Sequence, residues 1–330
     1  MRHILCYGDS NTWGYTPGTG ERHAPDVRWT GVLRRLLGEG WEVLEEGMNG
    51  RTTVFDNPMS QGRNGSAYLL TCLETHKPLD LVILMLGTND LRFTDAWGAA
   101  EGAAALVKKI RLYNRMEEST HIFPGKPRIL LIAPILAHAD LDNRDVIERC
   151  RSYPQKSRGF AAAYAAVAAE LGVEFLDAAA YADPSAVDGI HMEASGHAAL
   201  GEAVARKVRE IFRALEFEKN YTKQEILEMY LNTIYLGQGC YGVQTASEFY
   251  FGKDVSELDP AECACLIAIT NNPSLYGPMS TITITREDGS TVTPREANKE
   301  RQEMILTRMA GGNVDVGVTG LTYLTEEEAE

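Results

Sequence analysis

Through about residue 205 of this 330-residue chain, short apolar runs alternate with amphipathic stretches. The apolar runs at 3–7, 41–45, 81–86, 129–132 and 173–176 read as buried strands. Between them, 29–37, 99–112 and the alanine-rich 159–171 have helical spacing. Strand–helix alternation of this kind predicts an α/β fold, a five-stranded parallel sheet covered on both faces. In such sheets the working residues collect just beyond the carboxyl ends of the strands. The pattern therefore says where chemistry should lie before any motif is considered.

Four polar clusters fall directly after predicted strands. Gly8-Asp9-Ser10 follows the first, Gly47-Met48-Asn49-Gly50 the second, Gly87-Thr88-Asn89-Asp90 the third and Asp188-Gly189-Ile190-His191 the fifth. Hydrolysis of an ester needs a hydroxyl made nucleophilic by a base, and donors for the oxyanion that forms. Ser10, at a strand-to-helix turn, offers the hydroxyl and its own N–H. His191 is the base, and Asp188, three residues earlier, is near enough to hold its tautomer. Gly50 offers a backbone N–H without an obstructing side chain, and Asn89 an amide N–H. Taken singly, each cluster is equally a turn or a helix cap. In this order, at successive strand ends, they make a site.

The same residues carry a resemblance. The sequence resembles the SGNH (GDSL) hydrolases, whose four blocks supply serine, glycine, asparagine and histidine, here Ser10, Gly50, Asn89 and His191, with Asp188 in the last block. The stretches 8–14, 24–33, 45–47, 51–53 and 78–90 resemble the arylesterase/acyltransferase branch. The resemblance implies a three-layer α/β/α, flavodoxin-like fold, no metal or other cofactor, and a two-step acyl-enzyme mechanism on a small-molecule ester, with hydrolysis or transfer to an alcohol as the outcome. Asn11 stands where leucine is common. It is assigned to the substrate pocket together with Trp13, which either walls the acyl pocket or covers the first helix.

After about residue 214 the pattern changes. Thr222-Lys223-Gln224-Glu225 is a capping box, Asp259-Pro260-Ala261-Glu262 opens another helix, 298–309 suggests a third, and 281–292 reads as a hairpin around Asp288-Gly289. The expected division is 1–210 and 211–330, with one helix running across the join. From Arg206 onward the sequence resembles the peptidoglycan glycosyltransferase module of class A penicillin-binding proteins, chiefly over 225–237, 241–243, 250–254 and 273–276. The likeness covers the second half of that module. The upstream glutamate motif that supplies its general base has no counterpart before Arg206. Glu210 matches the second functional glutamate, so a remnant of that site is its assignment, and glycosyl transfer is not expected. The segment is either a remnant or a glycan-binding module using Glu210, Asn232 and Tyr235. Half a module exposes surface meant for its missing half, so Leu227, Tyr230 and Ile234 are expected to favour self-association, as a homo-oligomer, or docking onto the esterase.

A net charge of −14 repels nucleic acid and anionic lipid, so neither is an expected partner. No apolar run is long enough to span a bilayer. Six cysteines, at 6, 72, 150, 240, 263 and 265, show neither C-x-x-C pairs nor ligand spacing to a histidine, which argues against zinc and against a disulfide framework. His3, His23, His76, His121, His138 and His197 read as surface or packing residues. A reduced, cytoplasmic protein is the expectation.

Overall fold

The computed structural model describes residues 1–58, 60–115, 122–138, 151–286 and 288–310. Cys150 and His121 lie outside the described residues. The chain divides into two compact units, Met1–Phe212 and Arg213–Glu330.

The first unit is built on five parallel strands: β1 (Arg2–Gly8), β2 (Trp41–Gly47), β3 (Leu81–Met85), β4 (Ile129–Ala133) and β5 (Glu174–Asp177). Their spatial order is β2-β1-β3-β4-β5. Of the three interior strands, β3 and β4 are buried at every position, as continuous apolar runs in a covered parallel sheet must be. Period-two alternation sends Leu5, Tyr7, Val82, Leu84 and Leu131 into one core. There they meet helices α3 (Gly65–His76), α4 (Ala96–Tyr113) and, after the short α5 (Tyr153–Ser157), α6 (Phe160–Leu171). The alternate residues Ile4, Cys6, Ile83, Leu130 and Ile132 are buried on the other face. That face is covered by α2 (Trp29–Leu37) and α7 (Ala194–Asn220), which follow the one-turn α1 (Ser10–Trp13) and β5 respectively. The α2–α7 crossing is close: a Cβ on Gly201 would stand 2.8 Å from the carbonyl oxygen of Trp29 and 2.7 Å from Val32.

Register aligns the strand ends. Gly8 of β1 pairs with Gly47 of β2 and with Met85 of β3. Ser10, Gly50 and Asn89 therefore leave the sheet from one edge, each within four residues of its strand.

The second unit is mostly helical. Helix α7 begins in the first unit and continues into this one. Helix α8 (Lys223–Thr233) opens on the Thr222–Glu225 capping box, both of whose hydrogen bonds form. Helices α9 (Val243–Phe251), α10 (Pro260–Ile269) and α11 (Pro273–Tyr276) follow, with α10 capped by Asp259 and Glu262 and started by Pro260. A two-residue pairing of β6 (Ile284–Thr285) with β7 (Thr291–Val292) makes the hairpin, and α12 (Pro294–Ala310) closes the described chain. Leu236, Cys240, Ala246, Leu266 and Ile269 form a small core. Ile234, expected at an open apolar face, packs against this core instead, whereas Leu227 and Tyr230 are exposed and α8 buries no residue. Among the described residues no helix is long and apolar enough to cross a membrane.

Candidate active site

Asp9 caps α1, its carboxylate accepting from Asn11 N at 3.0 Å, and this tight turn presents Ser10 at the strand end. The loop after β5 returns over it. His191 Nε2 lies 2.8 Å from Ser10 Oγ, and Nδ1 lies 2.8 Å from Asp188 Oδ2. The other oxygen of Asp188 accepts from the backbone N–H groups of Ile190 and His191 at 3.1 and 3.0 Å. Burial raises the Asp188 pKa, but the hydrogen bond and charge of His191 and these two amides outweigh it and hold the carboxyl below the ordinary carboxylate range. The carboxylate thus stays charged at neutral pH, and can fix the ring's tautomer.

Asn11, assigned to the substrate pocket, does something else. It is 3% exposed, and both ends of its amide are engaged: Nδ2 donates to Ile190 O at 3.1 Å, and Oδ1 accepts from Met192 N at 3.1 Å. It fastens the histidine loop to the serine turn and, almost wholly buried, presents little surface to a substrate. Trp13 is partly exposed beside Tyr15, ring centroids 6.4 Å apart, and the Arg22 guanidinium lies over its ring at 5.2 Å. Tyr15 itself stacks on the His191 ring with centroids 4.2 Å apart. Nothing in the sequence marks Tyr15 as part of the site.

Gly50, at φ +74°, and Asn89 line one cavity of about 280 Å³ with Asn49, Thr52, Asn57, Ser60, Arg63, Arg92 and Phe93. Asn89 Nδ2 donates to Arg51 O at 3.0 Å, which orients the amide and leaves its second hydrogen for another acceptor. The two oxyanion candidates are held together by residues the motifs leave unexplained. Arg51 donates to Gly8 O at 3.0 Å and to Glu46 O, and lies over Tyr7 at 4.2 Å. The backbone N–H of Thr53 donates to both oxygens of Asp90 at 3.1 Å, and its hydroxyl donates to Oδ1. Burial pushes both Asp9 and Asp90 up to about 6 against the hydrogen bonds that favour their charged forms.

The expectation that no cysteine lies by a histidine fails at one point. Cys72 and His76, one turn apart on α3, meet Glu46 of β2, with ligand atoms mutually within 4.8 Å. These three could hold a metal ion by donor type. His76 and Glu46 already satisfy each other at 2.7 Å, and the Arg51 charge acting on the thiol opposes a cation there. His197 is fully buried against Trp29 N at 3.3 Å, and burial lowers its pKa to about 3, a packing histidine as expected. Glu210 is an exposed member of α7, paired with Lys207 at 2.9 Å. Tyr235 lies against Tyr241, ring centroids 5.0 Å apart.

Comparison with known proteins accords with this geometry. The model of the GDSL-like lipase/acylhydrolase family matches residues 6–199. The aryl esterase of M. smegmatis is 39% identical, with a TM-score of 0.59, over 64% of this chain and 99% of its own. A carbohydrate acetylesterase from Sinorhizobium meliloti is 35% identical, with a TM-score of 0.59, over 64% and 100%. The transglycosylase model matches residues 192–310. There the chain is 40% identical to penicillin-binding protein 4 of Bacillus subtilis over 111 residues, 31% of this chain and 18% of that protein. Penicillin-binding protein 2D of the same organism is 44% identical over 105 residues, 32% of this chain and 15% of its own length. The chain thus spans less than a fifth of either penicillin-binding protein. With a matching model over more than half its length, the chain belongs to the GDSL-like lipase/acylhydrolase family and is a carboxylic-ester hydrolase.

Proposed function

We propose that residues 1–210 form a serine esterase that hydrolyses small carboxylic esters through an acyl-enzyme on Ser10. The observation that carries this reading is the unbroken hydrogen-bonded chain from Ser10 Oγ through His191 to Asp188, 2.8 Å at each step. His191 Nε2 takes the hydroxyl proton as Oγ attacks the ester carbonyl. The tetrahedral oxyanion is stabilised by the N–H groups of Ser10 and Gly50 and by Asn89 Nδ2. The imidazolium returns the proton to the leaving alcohol, and water, deprotonated by the same nitrogen, releases the acid. Asp188 stabilises the imidazolium and keeps Nδ1 protonated. Trp13 and Tyr15 wall the side of the site that faces the histidine.

An alcohol in place of water would give acyl transfer by the same steps. Product partition with added alcohol separates the two outcomes. The relatives named for aryl and carbohydrate acetyl esters supply the first substrates to try. Hydrolysis of p-nitrophenyl acetate and butyrate by the full chain, with Ser10→Ala beside it, is the test. Turnover by the parent and none by the variant, with unchanged circular dichroism, is expected; a retained rate in the variant would sink the reading. For the second unit we propose a remnant without glycosyl-transfer activity, and a cytoplasmic setting accords with five unpaired cysteines among the described residues. Retention of the full chain on purified peptidoglycan would favour a glycan-binding role instead.

A further inference from the structure

The cavity lined by Gly50 and Asn89 has a chemistry that ester hydrolysis alone does not require. Its described lining includes two guanidinium groups, Arg63 and Arg92, three amides, two hydroxyls and one aromatic ring, and no carboxylate. This occurs in a chain with 46 acidic and 32 basic side chains, where an arbitrary patch of surface would carry more acid than base. Among the described residues no carboxylate forms an ion pair with either arginine. Arg63 is held in place: Nη1 donates to Asn49 O at 2.6 Å and Nε donates to Ser60 Oγ at 3.0 Å. Those bonds leave Nη2 and part of Nη1 without a backbone partner and fix the plane in which they lie. Arg63 also borders the oxyanion side directly, since a Cβ on Gly50 would stand 3.7 Å from its Cδ and Nε. Arg92 comes from the same 3₁₀ turn as Asn89, Thr88–Arg92, and is exposed to an entering ligand.

Resting on the esterase reading above, we propose that this site selects esters bearing an anionic group, a carboxylate or a phosphate, away from the scissile bond, with Arg63 and Arg92 as its receptors. A guanidinium fork fits either group in two parallel hydrogen bonds, and charge-assisted bonds are the stronger class. Arg63 is preorganised by Asn49 and Ser60. Arg92 is exposed at the rim of the cavity, where a ligand would enter. The field of the whole molecule works against such a substrate, because a net charge of −14 repels an anion from afar. A preference for an anionic ester therefore has to come from local contacts of this kind.

The test uses the full chain and two matched pairs of esters. One pair sets the charge on the alcohol side, 3-acetoxybenzoate against its methyl ester; the other sets it on the acyl side, mono-p-nitrophenyl adipate against p-nitrophenyl hexanoate. The readout is the ratio of kcat/KM for the anionic member to that of the neutral one, corrected for spontaneous hydrolysis. In at least one pair the ratio should favour the anion, and it should fall about tenfold in Arg92→Gln and in Arg63→Gln, the effect of losing one charge-assisted contact. Arg63→Lys, which keeps the charge, should retain part of the preference. If the neutral member is preferred in both pairs, or if the ratio is unmoved by both glutamine variants, the proposal falls while the esterase reading stands. If the full chain turns over none of the four esters, the esterase reading falls and takes this one with it.

Discussion

Asn11 Nδ2 donates to the carbonyl of Ile190 and its Oδ1 accepts from the amide of Met192, so the residue after the serine ties down the loop that carries His191. Asn11→Leu would leave a buried backbone N–H and C=O without partners, at a cost of about 1–3 kcal/mol for each. The expected result is a lower urea midpoint and a kcat that falls more than KM rises, because the histidine loses its position and not the substrate its pocket. Loss of stability with kcat unchanged would show that the loop holds its place without the clamp. Asp188→Asn tests the other side of the ring. An amide there cannot stabilise the imidazolium and favours the wrong tautomer, so kcat should fall about 10³- to 10⁴-fold with little change in KM. The wild-type carboxyl is held below its ordinary range. Its stabilising contribution is therefore present above that range and lost only as pH falls through the depressed value, well below neutrality. The triad was legible because each member combines a reactive side chain with a strand-end position. Tyr15, Arg51, Thr53 and Asp90 were not. Their roles depend on partners brought together by the fold, such as Thr53 on Asp90, 37 residues apart.

At the scale of elements, period and punctuation in the sequence carried the five strands, helices α2, α4, α6, α8, α10 and α12 and the Thr222–Glu225 capping box, but not α3 or α9. Alternation does not encode neighbours. A parallel pairing has no connecting turn to announce it, so the order β2-β1-β3-β4-β5 and the Gly8–Gly47 register come from packing of whole strand–helix units. Helix α8 shows the same limit: its apolar period announces a helix, yet none of its residues is buried. The crossing of α2 and α7 gives a measurable case. Alanine in place of Gly201 would gain about 1 kcal/mol in helix propensity at an exposed position. Here its Cβ would meet the Trp29 carbonyl at 2.8 Å and Val32 at 2.7 Å, forcing the helices apart. Gly201→Ala should therefore destabilise by about 1–2 kcal/mol in urea unfolding, overpacking outweighing propensity. A stabilised variant would mean the helices separate at negligible cost.

Across the whole first unit, two carboxyl groups are buried where the serine turn and the loops of Gly50 and Asn89 join: Asp9 is 2% exposed and Asp90 fully buried. Burial raises both to about 6, so the folded chain holds their protons more tightly than the unfolded chain does. The sign follows from linkage. The penalty for ionising them inside the fold is complete above about pH 6 and disappears as pH falls toward the ordinary carboxylate value near 4. From about pH 7.5 to about pH 5 each group should return about 1 kcal/mol of stability. Relief of the general repulsion of a −14 chain acts in the same direction, so the trend in the parent protein cannot by itself be credited to these two residues. Asp90→Asn separates the contributions. Its amide oxygen can still accept from Thr53 N while nothing at the position titrates, so the slope of stability against pH, and not its level, is the quantity to compare. Urea midpoints measured between pH 5 and 8 should rise toward the acid side in the parent and rise less steeply in Asp90→Asn. Parallel slopes would mean that Asp90 enters the folded chain at its ordinary pKa, with the Thr53 hydrogen bonds fully offsetting burial.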